Sequence, residues 1–219
     1  MKGKLLSFLY LLVALANLGS WIFFEGSFDH FTKPLLMPLL MLFLYENFKG
    51  LVVKETLILF GALLFSWLGD LALMESDRFF LPGVGSFLIA QLLYIRLFYS
   101  YKNPLGKWIN WKSGLLIVYG VLLLSQLLPT SGDLMIPVGI YGSTLITMAL
   151  FASNSTRTTS KAYWICTIGA VLFVLSDSMI ALDKFLTPIP FRSLWIMSTY
   201  IAAQYLLVYG LTQRIKNQS

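Results

Sequence analysis

Eight runs of apolar residues fill most of the sequence, and each is close to the length that crosses a bilayer. A transmembrane helix needs about 20 mostly apolar residues. The runs predict spans at 5–24, 31–48, 55–74, 79–99, 113–129, 133–153, 162–182 and 193–213. Only 12% of the 219 residues are charged, whereas an ordinary soluble domain carries about 25%. We therefore predict an all-α membrane protein with eight transmembrane helices, forming a single polytopic membrane domain over residues 1–219.

The first run also has features of a signal peptide. Lys2 and Lys4 precede an apolar stretch that leads to an Ala-Leu-Ala triplet at 14–16, which is the pattern of a cleavable leader. The apolar run nevertheless continues to Phe24 and is long enough to span. We favour an uncleaved first helix.

Basic residues divide unequally between the two sides of this predicted topology. The chain has sixteen Lys and Arg residues. Four fall on the side opposite the N-terminus (Lys33, Arg78, Lys184 and Arg192), and the other twelve fall on the N-terminal side. Because basic residues are retained in the cytoplasm, both termini are predicted to be cytoplasmic. The same asymmetry explains the net charge of +6 without a nucleic-acid partner.

Asp70 and Asp177 interrupt two apolar runs in similar sequence contexts. Segments 61–70 and 169–177 each carry a Gly-Ala pair and then a Leu-Phe pair before the aspartate. A charged side chain at the centre of a spanning helix costs about 2.5–3.5 kcal/mol on insertion scales, so such residues are usually functional. A buried structural hydrogen bond without chemistry is the alternative for each. Two such residues in matched contexts favour function.

The similarity extends to the helices that follow. Segment 87–94, Phe-Leu-Ile-Ala-Gln-Leu-Leu-Tyr, resembles segment 200–207, Tyr-Ile-Ala-Ala-Gln-Tyr-Leu-Leu. Helices three and four therefore match helices seven and eight, although two apolar hairpins can also look alike by chance. The two copies are four spans apart, so they have the same orientation in the membrane and the predicted repeat is parallel. Both aspartates fall four or five residues before the outer helix end, roughly 6–8 Å below the boundary. We expect them to face one shared cavity.

Further polar residues in the spans are candidates for substrate binding or support. They are Lys33, Gln91, Tyr94, Tyr141, Tyr200 and Gln204. Snorkelling to the interface is the alternative for the lysine, and interhelical hydrogen bonding is the alternative for the glutamines. His30 is the only histidine and Cys166 the only cysteine, so the sequence offers no metal-ligand cluster and we expect no cofactor.

Short motifs along almost the whole chain resemble the YhhN family of membrane proteins. They are Thr32-Lys33-Pro34-Leu35, segment 68–74, Gly83 with segment 87–94, Pro137-Val138 with Tyr141, Leu172-Phe173 with Ser176-Asp177, and Tyr200 with Ala203-Gln204. The resemblance implies an eight-helix protein of the bacterial inner membrane. It further implies hydrolysis of the vinyl ether bond of lysoplasmalogens, with Asp70 and Asp177 as catalytic residues. Gln91 departs from the pattern, because the family usually carries a histidine there and glutamine cannot titrate.

The paired carboxylates suit the chemistry that the resemblance implies. Two facing carboxyl groups at low dielectric do not ionise together, which gives a proton donor beside an anion. The expected partners are a lysophospholipid substrate and the lipid bilayer. The phosphate of the lysophospholipid is expected to bind Lys33 or Arg192. The alternative is a proton-coupled lipid or small-molecule transporter that uses the same aspartates. Against it, we expect no helix with the central Gly or Pro break common in carriers. The sequence does not specify an oligomeric state.

Overall fold

The computed structural model describes residues 2–49, 53–75, 77–101, 111–155 and 161–217. Over these ranges the regular structure is helical, which confirms the all-α prediction. The helices are α1 (Lys2–Phe23), α2 (Asp29–Asn47), α3 (Lys54–Glu75), α4 (Phe80–Ser100), α5 (Trp111–Thr130), α6 (Met135–Asn154), α7 (Lys161–Phe185) and α8 (Arg192–Lys216). Each overlaps its predicted span. Lys102, Lys107 and Arg157, which contribute to the predicted orientation, lie outside the described residues.

Seven helices in the described part of the chain are long and apolar enough to cross a membrane. The exception is α2, whose polar residues include Lys33 and Glu46. Its buried side chains are nevertheless apolar: they are Leu36, Met37, Leu40, Phe43 and Leu44. They recur at helical spacing and so form one face, and α2 packs against both α1 and α3. Polar residues near its ends therefore lower the hydropathy of α2 while its packed face stays apolar.

Two prolines lie inside α2, and one of them is compensated by α3. Pro38 has no N–H, so the carbonyl of Pro34 receives no helical hydrogen bond from it. The indole N–H of Trp67 in α3 donates to that carbonyl at 2.9 Å. The expectation of no central Gly or Pro break overlooked Pro38 near the middle of α2, although α2 continues as one helix from Asp29 to Asn47.

The chain divides into two compact units. The first comprises Met1–Tyr94 and Leu211–Ser219, and the second comprises Ile95–Gly210. In the first unit α2 packs between α1 and α3, and in the second α6 packs against α5 and α7. The division falls within α4 and within α8. That the two units form a single membrane domain stays a prediction.

Candidate functional site

Asp70 lies in the first unit, beside a close contact between α3 and α4. Its side chain is buried, with 2% exposed. The preceding residue, Gly69, packs against the ring of Phe87 in α4. A Cβ atom at Gly69 would lie only 2.6 Å from Cδ2 of that ring. A glycine beside the aspartate therefore lets the two helices come into contact at the level of the carboxyl group.

Lys33 and Asp70 lie beside the contact that joins α2 to α3. Lys33 is half-buried and precedes Pro34, whose carbonyl accepts the hydrogen bond from Trp67. Asp70 follows Trp67 by three residues, so the two lie on one face of α3. Lys33 and Asp70 therefore both lie within one turn of this contact between α2 and α3.

Gln91 and Tyr94 are both fully buried on α4, at 0% exposure. Among the described residues, neither the amide oxygen nor the amide nitrogen of Gln91 has a hydrogen-bond partner. Most buried polar side chains in proteins have at least one partner. The side chain of Gln91 is therefore an exception that requires an explanation.

Asp177 lies in the second unit, on α7, with 8% of the residue exposed. The hydroxyl of Tyr141 in α6 donates a hydrogen bond to its carboxylate. Tyr141 is half-buried, and α6 packs against α7. The structure thus brings two of the predicted site residues into direct contact.

Tyr200 and Gln204 tie α8 to α7 near the same aspartate. The ring of Tyr200 packs edge-to-face against Phe173, with centroids 5.9 Å apart. Nε2 of Gln204 donates to the hydroxyl of Tyr200 at 3.4 Å. The hydroxyl of Ser176, next to Asp177, donates to the carbonyl of Ile196 at 3.2 Å. Tyr200 and Gln204 are both buried, and their supporting role stays a prediction.

Matching contacts occur in the two halves of the predicted repeat. A Cβ atom at Gly61 would lie 3.3 Å from Cδ1 of Leu93. One at Gly169 would lie 3.1 Å from Cβ of Leu206 and equally close to the backbone of α8. Both glycines begin the Gly-Ala pair of their segment. Leu93 follows Gln91 by two residues, and Leu206 follows Gln204 by two residues. These contacts support the repeat. The shared cavity of Asp70 and Asp177 stays a prediction, because the two residues belong to different units.

The sequence analysis missed a polar network between α1 and α2. Nδ2 of Asn17, which is fully buried, donates to Asp29 at 2.8 Å and to Thr32 at 2.8 Å. The indole N–H of Trp21 also donates to Asp29, at 3.2 Å. A single amide within an apolar run was the available signal, and it is the same kind of signal that identified Asp70.

Arg192, a candidate for the lipid phosphate, already has an acidic partner. Its guanidinium donates to Asp183 at 2.5 Å, and 62% of its side chain is exposed. The other carboxylate oxygen of Asp183 accepts from the N–H of Ile189 at 2.9 Å. These bonds hold the connection between α7 and α8. No group of three His, Cys, Asp or Glu residues in the described ranges is arranged to hold a metal ion.

Comparison with known proteins gives the relatives of this chain. Human lysoplasmalogenase TMEM86B is 38% identical over 160 residues, which is 69% of this chain and 62% of the human protein. Rat lysoplasmalogenase TMEM86B is 38% identical over 175 residues, which is 80% of this chain and 68% of the rat protein. Bovine lysoplasmalogenase TMEM86A is 33% identical over 162 residues, which is 71% of this chain and 65% of the bovine protein. The chain thus spans less than two thirds of the human and bovine relatives.

No solved structure matches the chain. The model of the YhhN family matches residues 28–211, which include all eight predicted site residues. The chain belongs to the YhhN family.

Proposed function

We propose that this protein hydrolyses the vinyl ether bond of a lysoplasmalogen, releasing a fatty aldehyde and a glycerophospho-alcohol. The observation that carries the proposal is the pair of buried carboxyl groups, Asp70 and Asp177, on helices apolar enough to span a membrane. The relatives named lysoplasmalogenase support it. An intramembrane ionisable residue is a functional candidate by default.

The proposed reaction begins with proton transfer to carbon. A carboxylic acid protonates the β-carbon of the vinyl ether, which leaves an oxocarbenium ion. Water adds to that cation and loses a proton, and the resulting hemiacetal collapses to aldehyde and alcohol. A second, ionised carboxyl group stabilises the cation and orients the water, as in the paired carboxylates of glycosidases.

The contact between Tyr141 and Asp177 suggests how these roles divide. A hydroxyl that donates to a carboxylate makes a charge-assisted hydrogen bond, which suits the residue that carries the negative charge. We assign that role to Asp177 and the role of acid to Asp70. Lys33, Gln91, Tyr94, Tyr200 and Gln204 bind the substrate or hold these groups in place.

The proposal includes the location of the protein. We place it in a bacterial inner membrane, with both termini in the cytoplasm and a lysophospholipid as its substrate. The orientation rests on the unequal distribution of basic residues. A reporter fused to the C-terminus should give a cytoplasmic signal, and a signal from the outer side would contradict this orientation.

Neutral replacements of the two aspartates test the mechanism. Asp70→Asn and Asp177→Asn keep shape and hydrogen bonding but can neither donate a proton nor hold a charge. Each should lower aldehyde release by about 10²–10⁴-fold, the usual contribution of general acid–base catalysis. Because the residues act as a unit, the double variant should be little slower than the slower single variant.

The matched control replaces an aspartate that is exposed rather than buried. Asp133 is exposed in the turn before α6, and Asp133→Asn should keep the wild-type rate. Aldehyde release would be measured on purified protein that remains folded and monodisperse in detergent. Near wild-type rates in both Asn variants would refute the paired-carboxylate mechanism.

The second candidate function is a proton-coupled carrier, and the prolines of α2 favour it. Helices with interrupted backbone hydrogen bonding often form the binding sites of carriers, and Pro38 removes one helical hydrogen bond near the middle of the continuous helix α2. Purified protein in detergent distinguishes the two functions. An enzyme releases aldehyde without any gradient, whereas a carrier releases none and moves protons only across a sealed vesicle.

A further inference from the structure

The buried carboxamide of Gln91 lacks a hydrogen-bond partner among the described residues. Its oxygen can accept and its nitrogen can donate, and leaving such a group unsatisfied in the interior costs about 1–3 kcal/mol. Its counterpart in the predicted repeat, Gln204, is equally buried but donates to Tyr200. Of these two glutamines, only Gln91 therefore lacks a partner among the described residues.

Gln91 lies close in depth to Asp70. The contact between Gly69 and Phe87 sets the register of α3 against α4, and Gln91 follows Phe87 by one turn, about 6 Å along the axis. Side chains on a helix extend back over the turn on their N-terminal side. Because α3 and α4 are antiparallel neighbours, the amide of Gln91 and the carboxyl group of Asp70 extend toward a common level.

The partner that fits this carboxamide must both donate and accept a hydrogen bond. A hydroxyl group does both. A phosphate ester or an acyl ester offers acceptors only, and an alkyl chain offers neither. The lysolipid of the proposed reaction has one free hydroxyl, on the central glycerol carbon, only a few bonds from the vinyl ether that Asp70 would protonate. In a fully acylated lipid that oxygen can no longer donate.

We infer that Gln91 binds the free glycerol hydroxyl of the lysolipid and thereby selects lysolipids over acylated lipids. The inference rests on the proposed function for the identity of the lipid. A site that hydrogen-bonds a hydroxyl discriminates strongly against analogues without it, because its own polar groups are then left unpaired. In this role Gln91 is a specificity-determining residue, and its side chain does not need to gain or lose a proton.

Binding of two non-hydrolysable lipids tests the inference apart from catalysis. One is a saturated alkyl-ether lysophosphocholine, and the other is the same lipid with its hydroxyl replaced by methoxy. Each would displace a fluorescent alkyl-ether lysolipid from purified protein in detergent. Wild type should bind the hydroxyl lipid about 10- to 100-fold more tightly, the range expected for leaving a buried amide unpaired.

Two variants complete the test. Gln91→Met, which keeps the length of the side chain without its amide, should reduce the affinity ratio of the two lipids to about one by weakening only the hydroxyl lipid. Gln204→Met, the matched comparison, should change both affinities by the same factor and keep the ratio. A wild-type ratio near one would overturn the inference, and so would a ratio that Gln91→Met leaves unchanged.

The same materials separate this inference from the proposed reaction. The wild-type protein could release no aldehyde from a vinyl-ether lysolipid and still prefer the hydroxyl lipid through Gln91. That result would refute the reaction and support the hydroxyl site. Aldehyde release without that preference would support the reaction and refute the site. The wild-type comparison does not depend on whether a variant folds.

Discussion

Replacing Gly69 with alanine tests whether the close approach of α3 and α4 supports the candidate site. The new methyl group would lie 2.6 Å from Cδ2 and 2.7 Å from Cε2 of Phe87. The Phe87 side chain is 5% exposed, so the ring has little free space into which to move. Adding one carbon to a well-packed interior typically destabilises a protein by about 1–3 kcal/mol.

Gly85→Ala is the matched control, because it isolates the steric effect from helix propensity. Both glycines lie inside helices, and alanine is favoured over glycine in a helix by about 0.8–1 kcal/mol. A Cβ atom at Gly85 meets nothing within 4 Å, so this variant should gain stability from propensity alone. The two variants should therefore differ by the steric cost, about 1–3 kcal/mol.

The free energy of unfolding would be measured for both variants by denaturant titration in the same detergent, alongside aldehyde release. Gly69→Ala should be the less stable variant and should also lose activity, because the separated helices displace Asp70. Gly69→Ala with Phe87→Leu should recover part of the stability, since leucine leaves room for the methyl group. Equal stabilities for Gly69→Ala and Gly85→Ala would refute the packing argument.

Three further changes test other contacts of the candidate site. Tyr141→Phe removes the donor to Asp177 and should slow aldehyde release about 10-fold or more, as expected for a hydrogen bond to a charged group; an unchanged rate would contradict the assigned role. Trp67→Phe should lower the unfolding free energy by about 0.5–1.5 kcal/mol. The loss should be smaller in a Pro38→Ala background, because alanine restores the helical donor to the carbonyl of Pro34. Equal losses in both backgrounds would disprove that Trp67 compensates for Pro38. Gln91→His should raise the rate or move the pH optimum toward about 6.5, and a pH profile identical to wild type would exclude proton transfer at this position.

The helices were predictable because one physical requirement dominates the sequence. A bilayer requires continuous apolar runs with internally satisfied backbone groups, so the spans could be read within a few residues of their observed ends. The last helix was predicted to end at 213 but continues to Lys216. Helical hydrogen bonding extends beyond the apolar run there, and hydropathy does not report it.

Contacts between helices were less predictable, because they depend on which residues meet across an interface. Asp177 was identifiable from its own cost in a membrane, but its bond to Tyr141 depends on the packing of α6 against α7. Pro38 implies that the carbonyl of Pro34 lacks a helical donor, yet nothing in the sequence assigned Trp67 to that carbonyl. Gln91 was a candidate from its position, whereas its lack of a hydrogen-bond partner among the described residues became visible only in the packed structure.

The polar network of α1 bears on how the chain enters the membrane. Asn17 is buried in α1, and its amide donates to Asp29, only twelve residues later. An α1 that entered the bilayer alone would expose that amide to hydrocarbon, where an unsatisfied polar group costs several kcal/mol. Pairing of the amide nitrogen with the first residue of α2 removes part of this penalty as soon as the second helix forms. We therefore expect α1 and α2 to leave the translocon together as a hairpin, so that biogenesis of the protein starts with a two-helix insertion step.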